Sequence, residues 1–472
     1  MLFFAALTVF TAIIAYLGWR IWKETRQFSF PLGIFFLYYW SLLGAWFLVY
    51  DDMTGGAGEN FGLHHYVYFK RLFPVNMDGD YFLSITYYAL FIVVAEVCIL
   101  YFVKKKPLNK DEKREGISIN YSILLLGACA GIILSIYLVF DQIIVAAETK
   151  RSIYTVTRFT ENKFFAFHQL LNQAAIIALY IALVAYISGP NGRFIKGGNS
   201  VKTYIGLFAA TIFIECSMLL LGNKREILFG GVFGMVFYLM NVAGSVNYKK
   251  IGIIASFVVI PLFFNDSLRA YSPSFLKGLF PFPQLVEKPL VDDSYTSFSV
   301  KNAAFAFLFS NEMFVPHFSM YGVVHKKVPV TYGSSLVYLA TSIAPRFIYD
   351  NRPEDIYTYY ARKVGAKEGQ GYTIHHATGW YLNFGIIGII AGALLLGWIW
   401  VKFYFLAYGG KSNKAFVRIF SIIALPCFTA ALPSLVRGGP EGYRALFFEY
   451  LFIPVFILTV AYLFKLKFGK KT

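Results

Sequence analysis

Uninterrupted apolar runs constrain this chain more than any other feature. YYALFIVVAEVCILYFV (87–103) and IIGIIAGALLLGWIW (386–400) each approach the ~20 residues that cross ~30 Å of hydrocarbon as a helix. In oil every backbone N–H and C=O must find a partner, which leaves helices or a closed barrel. A barrel would show short segments of alternating polarity, and these runs do not alternate. Hydrophobic residues make up 57% of the 472 and charged ones 15%, with a mean hydropathy of +0.57. That is too little charge to coat a soluble domain of this size. The expected fold class is all-α, a polytopic transmembrane helical bundle.

Spans are expected at roughly 2–19, 30–50, 81–103, 119–147, 165–188, 203–221, 227–245, 251–264, 383–405, 416–433 and 446–464, about eleven helices. The chain then divides into N-terminal transmembrane helices (1–264), a large outer loop (265–382) and C-terminal transmembrane helices (383–472). Within the loop, AAFAFLFSNEMFVPHF and SSLVYLATSIAPRFIY read as interfacial or re-entrant helices, each broken by proline. The opening MLFFAALTVF has no basic stretch before it and no small-residue cleavage site after it, so the first span is expected to be retained.

Charge gives the orientation. The connectors RIWKETR, KKKPLNKDEKREG, SGPNGRFIKGGNSVK, NYKK, GGKSNK and the tail, with their helix ends, hold about 22 Lys and Arg against about 4 acids, the asymmetry of cytoplasmic loops. This places the N-terminus outside and the C-terminus in the cytoplasm. The net charge of +17 is thereby a topology signal, and nucleic acid is not an expected partner. Cys98, Cys129, Cys216 and Cys427 fall inside apolar segments, have no metal spacing and read as small core residues.

The cytoplasmic cations are mostly lysine, whereas about half of the outer ones are arginine, whose planar fork binds phosphate oxygens two at a time. Five outer stretches concentrate chemistry. LLLGNKREILFGG carries Arg225. IAPRFIYDNRPE holds Arg346 and Arg352 beside Pro345 and Pro353, which fix the backbone there. GYTIHHATGW brings His375 and His376, which as neighbours on a helix point about 100° apart and do not form one metal site. SLVRGGPEGYRALFFEY contributes Arg437, Glu441 and Arg444, and RSIYTVTRFTENK adds Arg158. Glu96, Asp141 and Glu215 are ionisable groups inside apolar spans and call for a functional role by default.

The order of Tyr332-Gly333, IAPR (343–346), RP (352–353) and HHATGWYLNFGIIG (375–388), with the arginine of GNKREILFG, resembles the bacterial oligosaccharide repeat-unit polymerases, the O-antigen polymerase (Wzy) family. The similarity is clearest over 332–388. Family members often carry lysine before the second proline, where this chain has Arg352. The resemblance implies a glycosyltransferase class C-like enzyme of the bacterial inner membrane, metal-independent and without a cofactor, with its active face periplasmic. Such enzymes move a growing glycan from a polyprenyl-diphosphate-linked oligosaccharide donor onto a lipid-linked repeat-unit acceptor, alongside a chain-length regulator.

On that footing Arg225, Arg346 and Arg352, with Arg158, Arg437 and Arg444, are the candidate diphosphate-binding residues. His376, His375, Glu441, Asp141 and Glu215 are the candidate general bases for the acceptor hydroxyl. Two alternatives share much of this chemistry. One is a ligase that hands finished glycan to lipid A core. The other is a transporter or flippase for lipid-linked sugars, with protons carried by Glu96, Asp141 and Glu215.

Overall fold

The computed structural model describes residues 2–55, 77–106, 117, 119–149, 156, 165–196, 201–220, 224–242, 249–256, 311–342, 349, 351–366, 373–409 and 414–468. Among these the chain is helical, with isolated backbone bridges at Ile117–Ile195 and Ile374–Gly438 and no strand. The helices are α1 Leu2–Thr25, α2 Ser29–Ser41, α3 Leu43–Met53, α4 Gly79–Lys105, α5 Tyr121–Leu138, α6 Phe140–Thr149, α7 Phe165–Ser188, α8 Val201–Leu220 and α9 Lys224–Asn241. After the large loop come α10 Asn311–His325, α11 Ser334–Thr341, α12 Ile356–Val364, α13 His376–Gly409 and α14 Ala415–Val436. A last helix, α15 Ile453–Phe468, follows the turn Gly442–Ala445 and a wider π-helical stretch, Leu446–Phe452.

Seven of the described helices are long and apolar enough to cross a membrane, or eight if α2 and α3, bent by 47°, form one broken span. This is a polytopic helical membrane protein. Of the eleven expected spans, seven or eight are met among the described residues; within α8 the fully described part, Ile205–Met218, is a shorter apolar helix, and most of 251–264 lies outside the described residues. Cys98 and Cys427 are buried, but Cys129 is half-buried and Cys216 exposed, so the core reading is corrected for Cys216. On a membrane helix an apolar side chain gains little by burial, because lipid is as apolar as the interior.

By contact the chain forms two units. The first comprises Met1–Asn109, Ala304–Gly409 and Ala431–Phe448; the second comprises Lys110–Ala303, Gly410–Ala430 and Glu449–Thr472.

In the first unit α1 and α4 run parallel: Phe3 stacks on Tyr81 with centroids 5.6 Å apart, and about four turns of helix later Gly18 faces the Glu96 carboxyl. The long helix α13 runs the same way along α4, with Tyr381 beside Tyr87 at 5.3 Å and Gly397 against Ala95 and Cys98. Without a hydrophobic drive between helices in lipid, such small residues let backbones approach and gain dispersion contact. Gly33 of α2 shows how tight the fit is. A Cβ there would lie 2.2 Å from the Trp400 ring and 2.5 Å from Leu432. Gly33→Ala should destabilise the folded protein by about 1–3 kcal/mol, the usual range for overpacking, read as a lower melting temperature in detergent.

Two features interrupt the helices of this unit. Pro316 sits inside α10, and the buried Tyr88 hydroxyl inserts into the ladder there: it accepts from the Met320 N–H at 3.1 Å and donates to the Pro316 carbonyl at 2.8 Å. In α13 the helix breaks at Phe384 and Gly385, the latter at φ 61°, a conformation glycine adopts without strain. The carbonyl of Leu382 freed by the break accepts from the Thr331 backbone N–H at 2.6 Å.

In the second unit α7 is the central helix. Gly131 of α5 packs on Ala175 and Leu171, and Gly230 and Gly234 of α9 pack on Ile176 and Tyr180. At the other end Asn241 accepts from the Phe194 and Ile195 N–H groups at 2.8 and 2.9 Å and donates to the Ile195 carbonyl, which fixes the turn after α7.

Candidate functional site

One group of charged residues of the first unit gathers where α12 docks on the loop between α14 and the last helix. Asp355 caps α12 by accepting from the Tyr357 and Thr358 N–H groups at 3.1 and 2.9 Å, and Gly365 ends it at φ 79°. Ile356, Tyr360 and Val364 form its buried stripe, at the four-residue spacing of one helix face. The dock itself is polar: Glu441 Oε1 accepts from the Ile356 N–H at 2.8 Å, and Ile374 bridges to Gly438. Gly379 of α13 admits this loop closely, since a Cβ there would lie 2.6 Å from Pro440 and 2.7 Å from Gly439.

Around Glu441 stand Arg444, Asp355 and the half-buried Tyr357, whose phenol also senses Arg437. The Tyr357 hydroxyl lies against Gly438. Burial raises the Glu441 pKa to about 8; Asp355 adds to the shift, while the Ile356 N–H and Arg444 oppose it. Burial also pushes the Tyr357 phenol up, with Glu441 and Asp355 adding and Arg437 opposing. Arg444 is exposed and donates to the Ser342 carbonyl at 3.3 Å. Arg352 lies on the approach to α12, its Nε donating to the Tyr349 carbonyl at 3.1 Å. Arg362 is occupied by Glu354 at 2.6 Å. The arrangement offers a carboxyl whose pKa burial raises to about 8, with the Arg444 guanidinium in electrostatic reach of it and Arg437 in reach of the neighbouring Tyr357 phenol, a pairing suited to proton transfer next to an anion.

The two histidines are wired differently. His375 and His376 are fully buried. His375 Nδ1 accepts from the Ala377 N–H at 3.1 Å and its own N–H donates to Ser319 Oγ at 3.0 Å, so its lone pair caps α13. Burial holds its imidazole well below the ordinary histidine range, with His376 and His317 adding to the effect. His376 Nε2 accepts from Trp380 Nε1 at 3.1 Å and lies 3.3 Å from the Tyr443 hydroxyl. Each ring thus commits one nitrogen lone pair to a neighbouring donor, and Glu441 is better placed than either to take a proton.

The remaining candidates divide between the second unit and residues outside the description. Arg225 is in the second unit. Its Nε and Nη2 donate to Glu226 Oε1 at 3.2 and 3.1 Å, Nη2 lies 3.7 Å from Glu449, and the guanidinium stands 5.9 Å over the Tyr450 ring. Two carboxylates already face this arginine. Glu215, also there, is buried and accepts from the Tyr180 hydroxyl at 2.7 Å. Asp141 is exposed in the first turn of α6, where a negative charge complements the helix dipole. Arg346 and Arg158 lie outside the described residues.

Three groupings were invisible to sequence reasoning. Tyr88, Ser319 and Thr378 share hydrogen bonds of 2.8–3.3 Å in the first unit. Ser135 lies 2.6 Å from both His168 and Asn172 in the second. Asp78, Asp80 and His325 place ligand atoms within 4.8 Å of one another. This last group carries the carboxylate and imidazole donors that a metal ion would need. Its atoms are engaged internally: Asp78 caps α4 and receives the Tyr321 hydroxyl, and Asp80 pairs with His325 at 3.1 Å.

Architecture and composition define the class, a multi-pass helical membrane protein with a charged site at the docking point of α12. No protein-family description, curated protein or solved structure matches the chain significantly.

Proposed function

We propose that this chain is a polymerase of lipid-linked oligosaccharides, which transfers a growing glycan from polyprenyl diphosphate to a new lipid-linked repeat unit on the outer face of a bacterial inner membrane. One observation carries the reading. Glu441, with a pKa raised to about 8, stands at the docked end of α12 with Arg437 and Arg444 on its own loop.

In the reaction the acceptor hydroxyl attacks the anomeric carbon of the donor sugar. The bond from that carbon to the diphosphate oxygen breaks, and the lipid diphosphate leaves with the electron pair. Glu441 takes the hydroxyl proton. Arg437, Arg444 and Arg352, with Arg346 from the neighbouring stretch, hold the leaving diphosphate through charge-assisted bonds worth about 1.5–3 kcal/mol each. Only the part of that attraction that grows as the bond breaks raises the rate. A chain-length regulator acts as partner.

The test is to supply purified protein in proteoliposomes with one lipid-linked repeat unit. A ladder of lengths supports the polymerase; a single transfer to added lipid A core would make it a ligase. A second reading, transport of lipid-linked sugars, draws on Glu96: it is buried in α4, and neither carboxyl oxygen has a hydrogen-bond partner among the described residues. Sugar that crosses the bilayer without a new glycosidic bond would support that reading instead.

A further inference from the structure

The parallel course of α1, α4 and α13 brings their C-terminal ends to one end of the first unit, and that end repeats a single device. On α1, Arg20 lies over Tyr16 at 5.7 Å, Lys23 over Trp19 at 5.5 Å and Arg26 over Trp22 at 4.8 Å. Each cation follows its ring by four residues, the spacing that stacks side chains on one helix face. The pattern recurs where α4 and α13 end: Lys105 lies over Tyr101 at 5.7 Å and Lys402 over Trp398 at 5.4 Å. Lys106 of α4 stands over Phe405 of α13 at 5.6 Å, which ties the two ends together.

Orientation by positive charge needs lysine or arginine anywhere in a cytoplasmic loop. It does not need each one paired with a ring. The rings are exposed, Trp19 by 50% and Tyr101 by 58%, as suits side chains facing acyl chains at head-group level. Arg26 supplies an independent sign. It takes the left-handed backbone conformation, φ 51°, at a helix end where glycine is usual, and from there its guanidinium folds back over Trp22. Acidic groups are scarce: of the seven residues RIWKETR only Glu24 is acidic, and YFVKKK has none.

We propose that this end of the first unit is a docking surface for anionic phospholipid, with phosphates bridging the ring-paired cations and acyl chains lying along the exposed rings. A cation held over a ring is pre-positioned, so less side-chain freedom is lost when it meets a phosphate. The surface is independent of the glycosyl-transfer reading and would stand if that reading fell.

The full-length protein in nanodiscs tests it. One set is made of phosphatidylcholine alone and another of phosphatidylcholine with phosphatidylglycerol, and retained lipid is counted by native mass spectrometry. Arg20→Gln, Lys23→Gln and Arg26→Gln together keep the rings and remove three cations. This variant should lose roughly a hundredfold of the preference for anionic lipid, given about one unit of surface attraction per cation. Lys110→Gln, Lys113→Gln and Arg114→Gln remove the same charge from a stretch with no ring four residues before each, and should leave that preference nearly intact. Equal losses in both variants, or no preference in the wild type, would overturn the proposal.

Discussion

Replacing Glu441 by glutamine is expected to lower the rate of glycosyl transfer by about a hundred- to ten-thousandfold, the usual contribution of a positioned base. The amide oxygen of glutamine can still accept from the Ile356 N–H, now at 2.8 Å, so α12 should remain docked. The pH dependence carries more information than the loss. Transfer needs the ionised carboxylate, and burial raises the Glu441 pKa to about 8, so the wild-type rate should climb as pH rises through about 8. Stability should move the other way. A carboxyl whose folded pKa exceeds its unfolded value of ~4.3 contributes stability that is fully present below that value. That contribution is lost as pH rises towards about 8. The wild type should therefore melt lower at pH 9 than at pH 5 by more than the glutamine variant does. A rate independent of pH between 6 and 9, in a variant comparison of equal activity, would remove Glu441 from the chemistry.

Arg437→Ala is expected to reduce transfer by about a hundred- to a thousandfold, the loss typical when one donor to a developing oxyanion is removed. Arg437 shares the loop with Glu441 and lies within electrostatic reach of the Tyr357 phenol. Removing it should also push that phenol further from ionisation. Arg437→Lys keeps the charge but loses the two-pronged contact, so it should recover only part of the rate. If the guanidinium acts on the leaving diphosphate, kcat should fall more than KM rises. Equal activity of the alanine variant and the wild type, with both folded, would contradict the assignment.

How far the sequence was legible follows from the range of each interaction. The spans show in composition alone, because a helix in oil pairs its own backbone and needs no partner to be recognised. The charged loop at Arg437, Glu441 and Arg444 was legible for the same reason, as its members are close in sequence. The start of α13 was only half legible: the apolar run suggested 383, whereas the helix begins at His376 and breaks at Phe384–Gly385. The glycine after the aromatic residue marks that break.

What could not be seen lies at long separation. Glu449 reaches Arg225 from the far side of the chain, which turns a bare cation into a partly neutralised one. Tyr88 enters α10 through contacts with residues more than two hundred positions away. The histidines looked catalytic as an adjacent pair. Their burial brings them partners far along the chain, Ser319 at the backbone N–H of His375 and the Tyr443 hydroxyl beside Nε2 of His376.

The central claim is that arginines grip a lipid diphosphate as it leaves a sugar. It is tested most directly by counting free polyprenyl diphosphate against new glycosidic bonds in proteoliposomes of wild-type, Arg437→Ala and Glu441→Gln protein. One diphosphate per bond from the wild type, and almost none from either variant, is the predicted result. Bond formation undiminished in both variants, or sugar movement with no diphosphate released, would contradict it.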